Sequence, residues 1–165
     1  MASGDIVGKI LHVNTPSAST AAALTGKLGG STPPELVPAF AFDDSSTEYL
    51  DLHVALRGYT GEGLTVRIGW SGAAASGDVR WGAAVRAFAA DGEDLDSAHT
   101  YDFNDASDVT APSAINEVKY TEITFLDGVD MDSWADGEFG VVRIRRTAAT
   151  SNMSGDAYIW SNYIL

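Results

Sequence analysis

The chain is expected to fold as an all-β domain, an antiparallel β-sandwich or jelly roll of seven to eight strands with an extended N-terminal arm. Three observations carry that expectation. Apolar residues recur at every second position through several segments, as strands with one face on a core require. Clusters of Gly, Asp, Ser and Pro separate those segments. No apolar pattern at i, i+3, i+4 and i+7 survives beyond a turn or two, so helices do not compete.

Residues 1–34 read as the arm. One apolar stretch, Ile6 to Val13, holds β-formers and suits a strand added to a sheet, here or in a neighbour. Asn14 to Pro34 is rich in Ser, Thr, Ala and Gly, a composition that builds no core. Ala21-Ala22-Ala23-Leu24 is too short to stand alone as a helix. The residues of the arm expected to make contacts are Ile6, Val7, Lys9, Ile10, Leu11, Val13 and Lys27.

Residues 35–165 read as the sandwich. Glu35–Phe42 makes a first strand. Leu50, Leu52, Val54 and Leu56 then alternate with Tyr49, Asp51, His53 and Ala55. Leu64, Val66, Ile68 and Trp70 face one way in the next strand, with Gly61-Glu62-Gly63 as a hairpin-like connection between the two. Asp78–Ala90 places Val79, Trp81, Ala83, Val85 and Ala87 on one face and Arg80, Gly82, Ala84, Arg86 and Phe88 on the other. Asp91–Asn116 reads as a long loop with a short strand near Thr100–Phe103. Glu117–Leu126, Glu138–Thr147 and Ala157–Leu165 complete the set. Regular short strands of this kind point to two packed sheets.

Bulk properties narrow the function. A chain of 165 residues buries a core without staples, and it contains no cysteine for disulfides or thiolate metal sites. It lacks the uninterrupted apolar run, about 18 residues long, of a transmembrane helix. The N-terminus lacks a signal-peptide pattern, so synthesis in the cytoplasm is expected. Ten Lys and Arg against 23 Asp and Glu leave a formal charge of -13, which disfavours nucleic acid as a partner. Two lysines against Asp5 put residues 1–34 at +1, so the remainder carries -14. A weakly basic arm on an acidic body suits contact with an acidic neighbour. The 24 alanines, several within Gly69–Ala90, permit close approach of another sheet or backbone, inside one sandwich or between subunits.

Few constellations suggest chemistry. Gly69-Trp70-Ser71-Gly72-Ala73 resembles a G-x-S-x-G nucleophile elbow, but another strand follows where the elbow needs a helix. His12, His53 and His99 lack metal-ligand spacing. Two acidic loops, Asp91/Glu93/Asp94/Asp96 and Asp127/Asp130/Asp132/Asp136/Glu138, miss the calcium-loop pattern and read as solvated turns. No catalytic residue, metal or cofactor is expected. Aromatic residues near carboxylates suit carbohydrate stacking; Trp134, Tyr59 and Tyr101 are the candidates, while Trp70 and Trp81 belong to the core. Arg143, Arg145 and Arg146 interrupt an apolar strand, as cations near a sheet edge do.

The run Leu64–Ser71, continued by Ser76–Gly82 and flanked by Phe42-Asp43-Asp44 and Gly155–Ile159, resembles small jelly-roll virion structural proteins of tailed phages, of the head-decoration (cement) or fibre type. The resemblance spans about residues 40–165 and includes no active-site motif. It implies a capsid decoration protein located in the virion. It implies as partners further copies of the chain in a homotrimer and a major capsid or other virion protein, with no membrane involved. The alternative is a carbohydrate-binding tail or fibre module for host attachment.

Overall fold

A computed structural model describes residues 8–16, 20–28, 30, 32–33, 35–88 and 94–164. Among these run β1 (Gly8–Asn14), β2 (Ala23–Leu28), β3 (Leu36–Phe42), β4 (Glu48–Leu56), β5 (Leu64–Gly72), β6 (Asp78–Val79) and β7 (Trp81–Phe88). They continue with β8 (Asn104–Asp105), β9 (Val109–Thr110), β10 (Lys119–Phe125), β11 (Phe139–Arg146) and β12 (Ala157–Ile164). The fold is an all-β sandwich with three antiparallel sheets. One five-stranded sheet, here sheet A, has the order β1-β4-β11-β7-β8; sheet B has the order β10-β5-β12-β3-β2; β6 and β9 form a small third.

The long strands lie where period-two alternation places them, within two residues at most ends. Their inward rows form one core. Leu50, Leu52, Val54 and Leu56 of β4 meet Trp81, Ala83, Val85 and Ala87 of β7 and Val142 and Ile144 of β11. Val66, Ile68 and Trp70 of β5 close it from sheet B with Phe42, Ile123, Phe125 and Ile159. At its centre Trp81 stands edge-on to Phe42, at 5.1 Å between ring centroids, and to Trp70, at 5.7 Å. The Trp70 indole N–H donates to Thr121 Oγ1 at 2.9 Å, satisfying a donor that would otherwise be buried at a cost.

Pairing departs from expectation in four places. Residues 1–34 are not simply an extended arm: β1 pairs antiparallel with β4, and β2 with β3, as edge strands of the molecule's own sheets. Lys9, Ile10, Leu11 and Val13 fall in β1 and Lys27 in β2, while Ile6 and Val7 lie outside the described residues. The Gly61-Glu62-Gly63 connection is not a hairpin, because β4 and β5 lie in opposite sheets. The short strand expected near Thr100–Phe103 forms instead at Asn104–Asp105, against Gly82 and Ala83. Finally, β11 is central, between β4 and β7, so its arginines do not guard an edge.

Alternation sends those arginines to different surroundings. Arg143 and Arg145 point outward from sheet A, but Arg146 points inward and is fully enclosed. It donates to the carbonyls of Phe42 and Gly155 through one terminal nitrogen and to that of Met153 through the other, each at 2.8 Å. Burial pushes its pKa down, and the nearby carboxylates of Asp44, Asp156, Asp43 and Glu48 pull it back up. A guanidinium stays protonated through shifts of this kind. Arg146 thereby ties β3, β11 and the 147–156 loop together at one end of the sandwich.

Candidate functional site

Polar and aromatic side chains gather on the outer face of sheet A. The register sets Tyr49 opposite Arg145, Asp51 opposite Arg143 and His53 opposite Val141. Across β11, Gly82, Ala84 and Arg86 of β7 continue the same three rows. Residues 20–22 hold the start of β4, where the Tyr49 N–H donates to Thr20 O at 2.9 Å and the Tyr49 carbonyl accepts from Ala22 N at 3.0 Å. A face of this kind would ordinarily meet water, yet Ala84 is fully buried.

The segment leading into β8 lies against this face. Arg143 donates both arms of its guanidinium to Asp51, at 2.7 Å each, and the Tyr101 ring sits 4.1 Å from the guanidinium carbon. One turn of alternation away, Arg145 pairs with Asp105 at 2.9 and 3.0 Å and lies 3.9 Å from the Phe103 ring centroid. His99 stands edge-on to Tyr101 at 4.9 Å, and Tyr49 lies 6.1 Å from Phe103. Guanidinium planes stack on aromatic faces because the cation meets the negative face of the ring. Asp51 holds the Arg143 charge firmly and raises its pKa. Burial raises that of the Tyr101 phenol, with Arg143 opposing, so the phenol remains a neutral hydroxyl at ordinary pH.

Gly82 makes this packing possible. A Cβ there would collide with Asp105 Oδ1 and approach Arg145 Nε to 2.8 Å, so a side chain cannot coexist with the ion pair as placed. Gly82→Ala is expected to cost about 1–3 kcal/mol, as overpacking does. The loss should appear in thermal melts, with faster amide exchange over 99–105; an unchanged exchange pattern would contradict the account.

The expected stacking residues do not come together. Tyr101 lies in the face just described, half-buried. Tyr59 belongs to the loops at the end of β4: its hydroxyl donates to Asp127 Oδ1 at 2.7 Å and accepts from Gly63 N at 3.0 Å, and its ring packs on the core. Trp134 is 2 % exposed, and its ring fills the space above Gly140, where a Cβ would reach its indole carbons at 2.7 and 2.8 Å. It has no face to offer a ligand. Asp51, Arg143 and Phe103, which make up much of the site, carried no sequence motif. For Asp51 and Arg143 the one signal was position on an alternating strand; Phe103 lies in the loop before β8 and had none.

Other constellations resolve locally. Ser71 lies within β5, opposite Tyr158, and its enclosed hydroxyl has no hydrogen-bond partner among the described residues, so no elbow presents it. The 127–138 carboxylates face separate donors: Asp130 takes Leu126 N and the Asn104 amide, Asp132 takes Ala87 N, Asp136 takes Tyr59 N and Glu138 takes Ala135 N. Among the described residues no three His, Asp or Glu are grouped to hold a metal. Asp91 and Glu93 lie outside the described residues.

No family model matches the chain, and no curated protein matches it. Similar solved structures include TmCBM61 in complex with β-1,4-galactotriose, at 13 % identity and a TM-score of 0.36, over 87 % of this chain and 86 % of that one. A family 35 carbohydrate binding module from an environmental isolate is 10 % identical, with a TM-score of 0.40, over 94 % and 96 % of the two chains. The Spr0440 glycoside hydrolase domain, Endo-D from Streptococcus pneumoniae R6, is 10 % identical with a TM-score of 0.38, over 90 % of this chain and 20 % of that one. These are carbohydrate-binding modules and a glycoside hydrolase domain, where the strand-and-turn pattern suggested phage virion proteins. The virion reading is corrected accordingly: capsid decoration, the cement role and a virion location are withdrawn. That pattern misled because alternating strands and Gly-Asp turns are shared by sandwiches of every function.

Proposed function

We propose that this chain is a non-catalytic carbohydrate-binding module whose ligand site is the outer face of sheet A around Tyr101, Arg143 and Asp51. The observation that carries this reading is the placement of a half-buried phenol ring beside a bidentate Arg–Asp pair, bordered by His99, Tyr49 and Phe103. Sugar rings present C–H faces that pack on aromatic planes and hydroxyls that need both donors and acceptors. A guanidinium and a carboxylate held together supply both in a fixed geometry, which lowers the entropy lost on binding. The strand orders also support the finer assignment of the sandwich as a jelly roll. β3, β12, β5 and β10 alternate in one sheet with β4, β11, β7 and β8 in the other, and the chain changes sheet at nearly every step.

Affinity electrophoresis against a panel of soluble polysaccharides tests the function. The wild-type chain is expected to be retarded by at least one glycan, and Tyr101→Ala to weaken that retardation about tenfold or more, the loss of one stacking contact and its ordered neighbours. A folded Tyr101→Ala protein with undiminished retardation would move the site elsewhere. Absence of retardation by any glycan would overturn the function.

A further inference from the structure

The geometry points to selection of uncharged saccharides at this face, with Asp51 as the residue that sets the selectivity. This inference rests on the carbohydrate-binding reading and specifies its ligand class. Arginines on a binding face invite an anionic ligand, because a guanidinium fork matches a carboxylate or sulfate. Here both outer-face arginines of β11 are already matched from within. Asp51 occupies the Nε and one terminal nitrogen of Arg143 with two bonds of 2.7 Å, while both oxygens of Asp105 take a single terminal nitrogen of Arg145, at 2.9 and 3.0 Å, and the Arg145 Nε is enclosed. The Arg143 fork that would grip a uronate is therefore filled, and the Arg145 charge is neutralised by Asp105.

The surrounding charges balance as well. The groups acting on the Tyr101 phenol are Arg143 and Arg86 on one side and Asp51 and Asp132 on the other. Asp132 reaches this region from the 3-10 turn at Val129–Met131, anchored by its bond to Ala87 N at 2.9 Å. Beyond this balanced patch lies an acidic chain of net charge -13. Its field repels polyanions over a Debye length of about 8–10 Å at physiological salt. An acidic glycan gains no free cation at the site and meets repulsion on the approach. A neutral sugar meets neither obstacle, and its vicinal hydroxyls can donate to the outer lone pairs of Asp51 while accepting from Arg143.

The test compares neutral polysaccharides (glucan, xylan, mannan and galactan) with polygalacturonate and alginate, at about 20 and about 150 mM NaCl. The expected result is retention by a neutral glycan, with polyuronates bound at least about tenfold more weakly at either salt concentration. Asp51→Asn, shown to be folded by its melting curve, should free Arg143 and shift the neutral-to-acidic preference about tenfold towards polyuronate. Asp105→Asn makes the same change of net charge next to Arg145 and should shift the preference less. Polyuronate bound as tightly as any neutral glycan at about 150 mM salt would overturn the selectivity while leaving the function standing. So would equal shifts in the two variants. Should Asp51→Asn not fold, the wild-type comparison decides by itself. Binding to no glycan would remove both readings together.

Discussion

Replacing Arg146 by methionine is expected to destabilise the fold by about 3–5 kcal/mol, the usual cost of removing one member of a buried charged network. Methionine fills similar space but offers no donor. The carbonyls of Phe42, Met153 and Gly155 would each lose a bond of 2.8 Å, and a buried acceptor without a donor costs about 1–3 kcal/mol. The carboxylates of Asp43, Asp44, Glu48 and Asp156 would in addition lose the cation they face. A domain of this size has about 5–15 kcal/mol in total, so the variant forfeits a large share. Arg146→Lys keeps the charge but cannot span three carbonyls on two nitrogens, and should fall between the two. Urea denaturation of the three proteins provides the check. A difference below about 1 kcal/mol between wild type and methionine would show that water replaces the guanidinium without loss.

Trp81→Ala is expected to cost about 3–5 kcal/mol, the range for deleting a large aromatic from a packed core. Trp81 has no exposed surface and meets two aromatics of sheet B edge-on, Phe42 at 5.1 Å and Trp70 at 5.7 Å. Alanine would leave a cavity that neither neighbour can fill, because Trp70 is held by its bond to Thr121. Trp81→Phe should lose less than half as much, since most of the volume remains. At roughly 2–4 °C per kcal/mol for a domain of this length, the alanine variant should melt about 6–20 °C below wild type. The indole nitrogen has no hydrogen-bond partner among the described residues, so its loss in Trp81→Phe adds no penalty, and equal losses for Phe and Ala would contradict the volume account.

Each of these large effects comes from a residue whose neighbourhood was hidden in the sequence to a different degree. Trp81 sits in an alternating run, so its place in the core was legible. Arg146 follows Arg143 and Arg145 in a pattern that looks like one charged strip. Only the direction of alternation separates them, and only the arrival of Phe42, Met153 and Gly155 from elsewhere explains how a cation lives inside. The outer face of sheet A shows the same division. Tyr49, Asp51 and His53 were visible as the polar side of β4. Their partners on β11 lie about 90 residues later, as the Asp51–Arg143 separation of 92 positions records.

The sequence by itself determined that this chain makes strands, which residues of β4, β5 and β7 face inward, and that the molecule is strongly acidic. Those properties are local: side-chain period, turn chemistry and charge are written within a few residues of one another. Tertiary structure alone decided which strands are neighbours, that β11 is central, that β1 and β2 join the body, and that Tyr101 rests on Arg143. Strand order and register depend on pairings between distant segments, and a period of two is the same whichever neighbour a strand acquires.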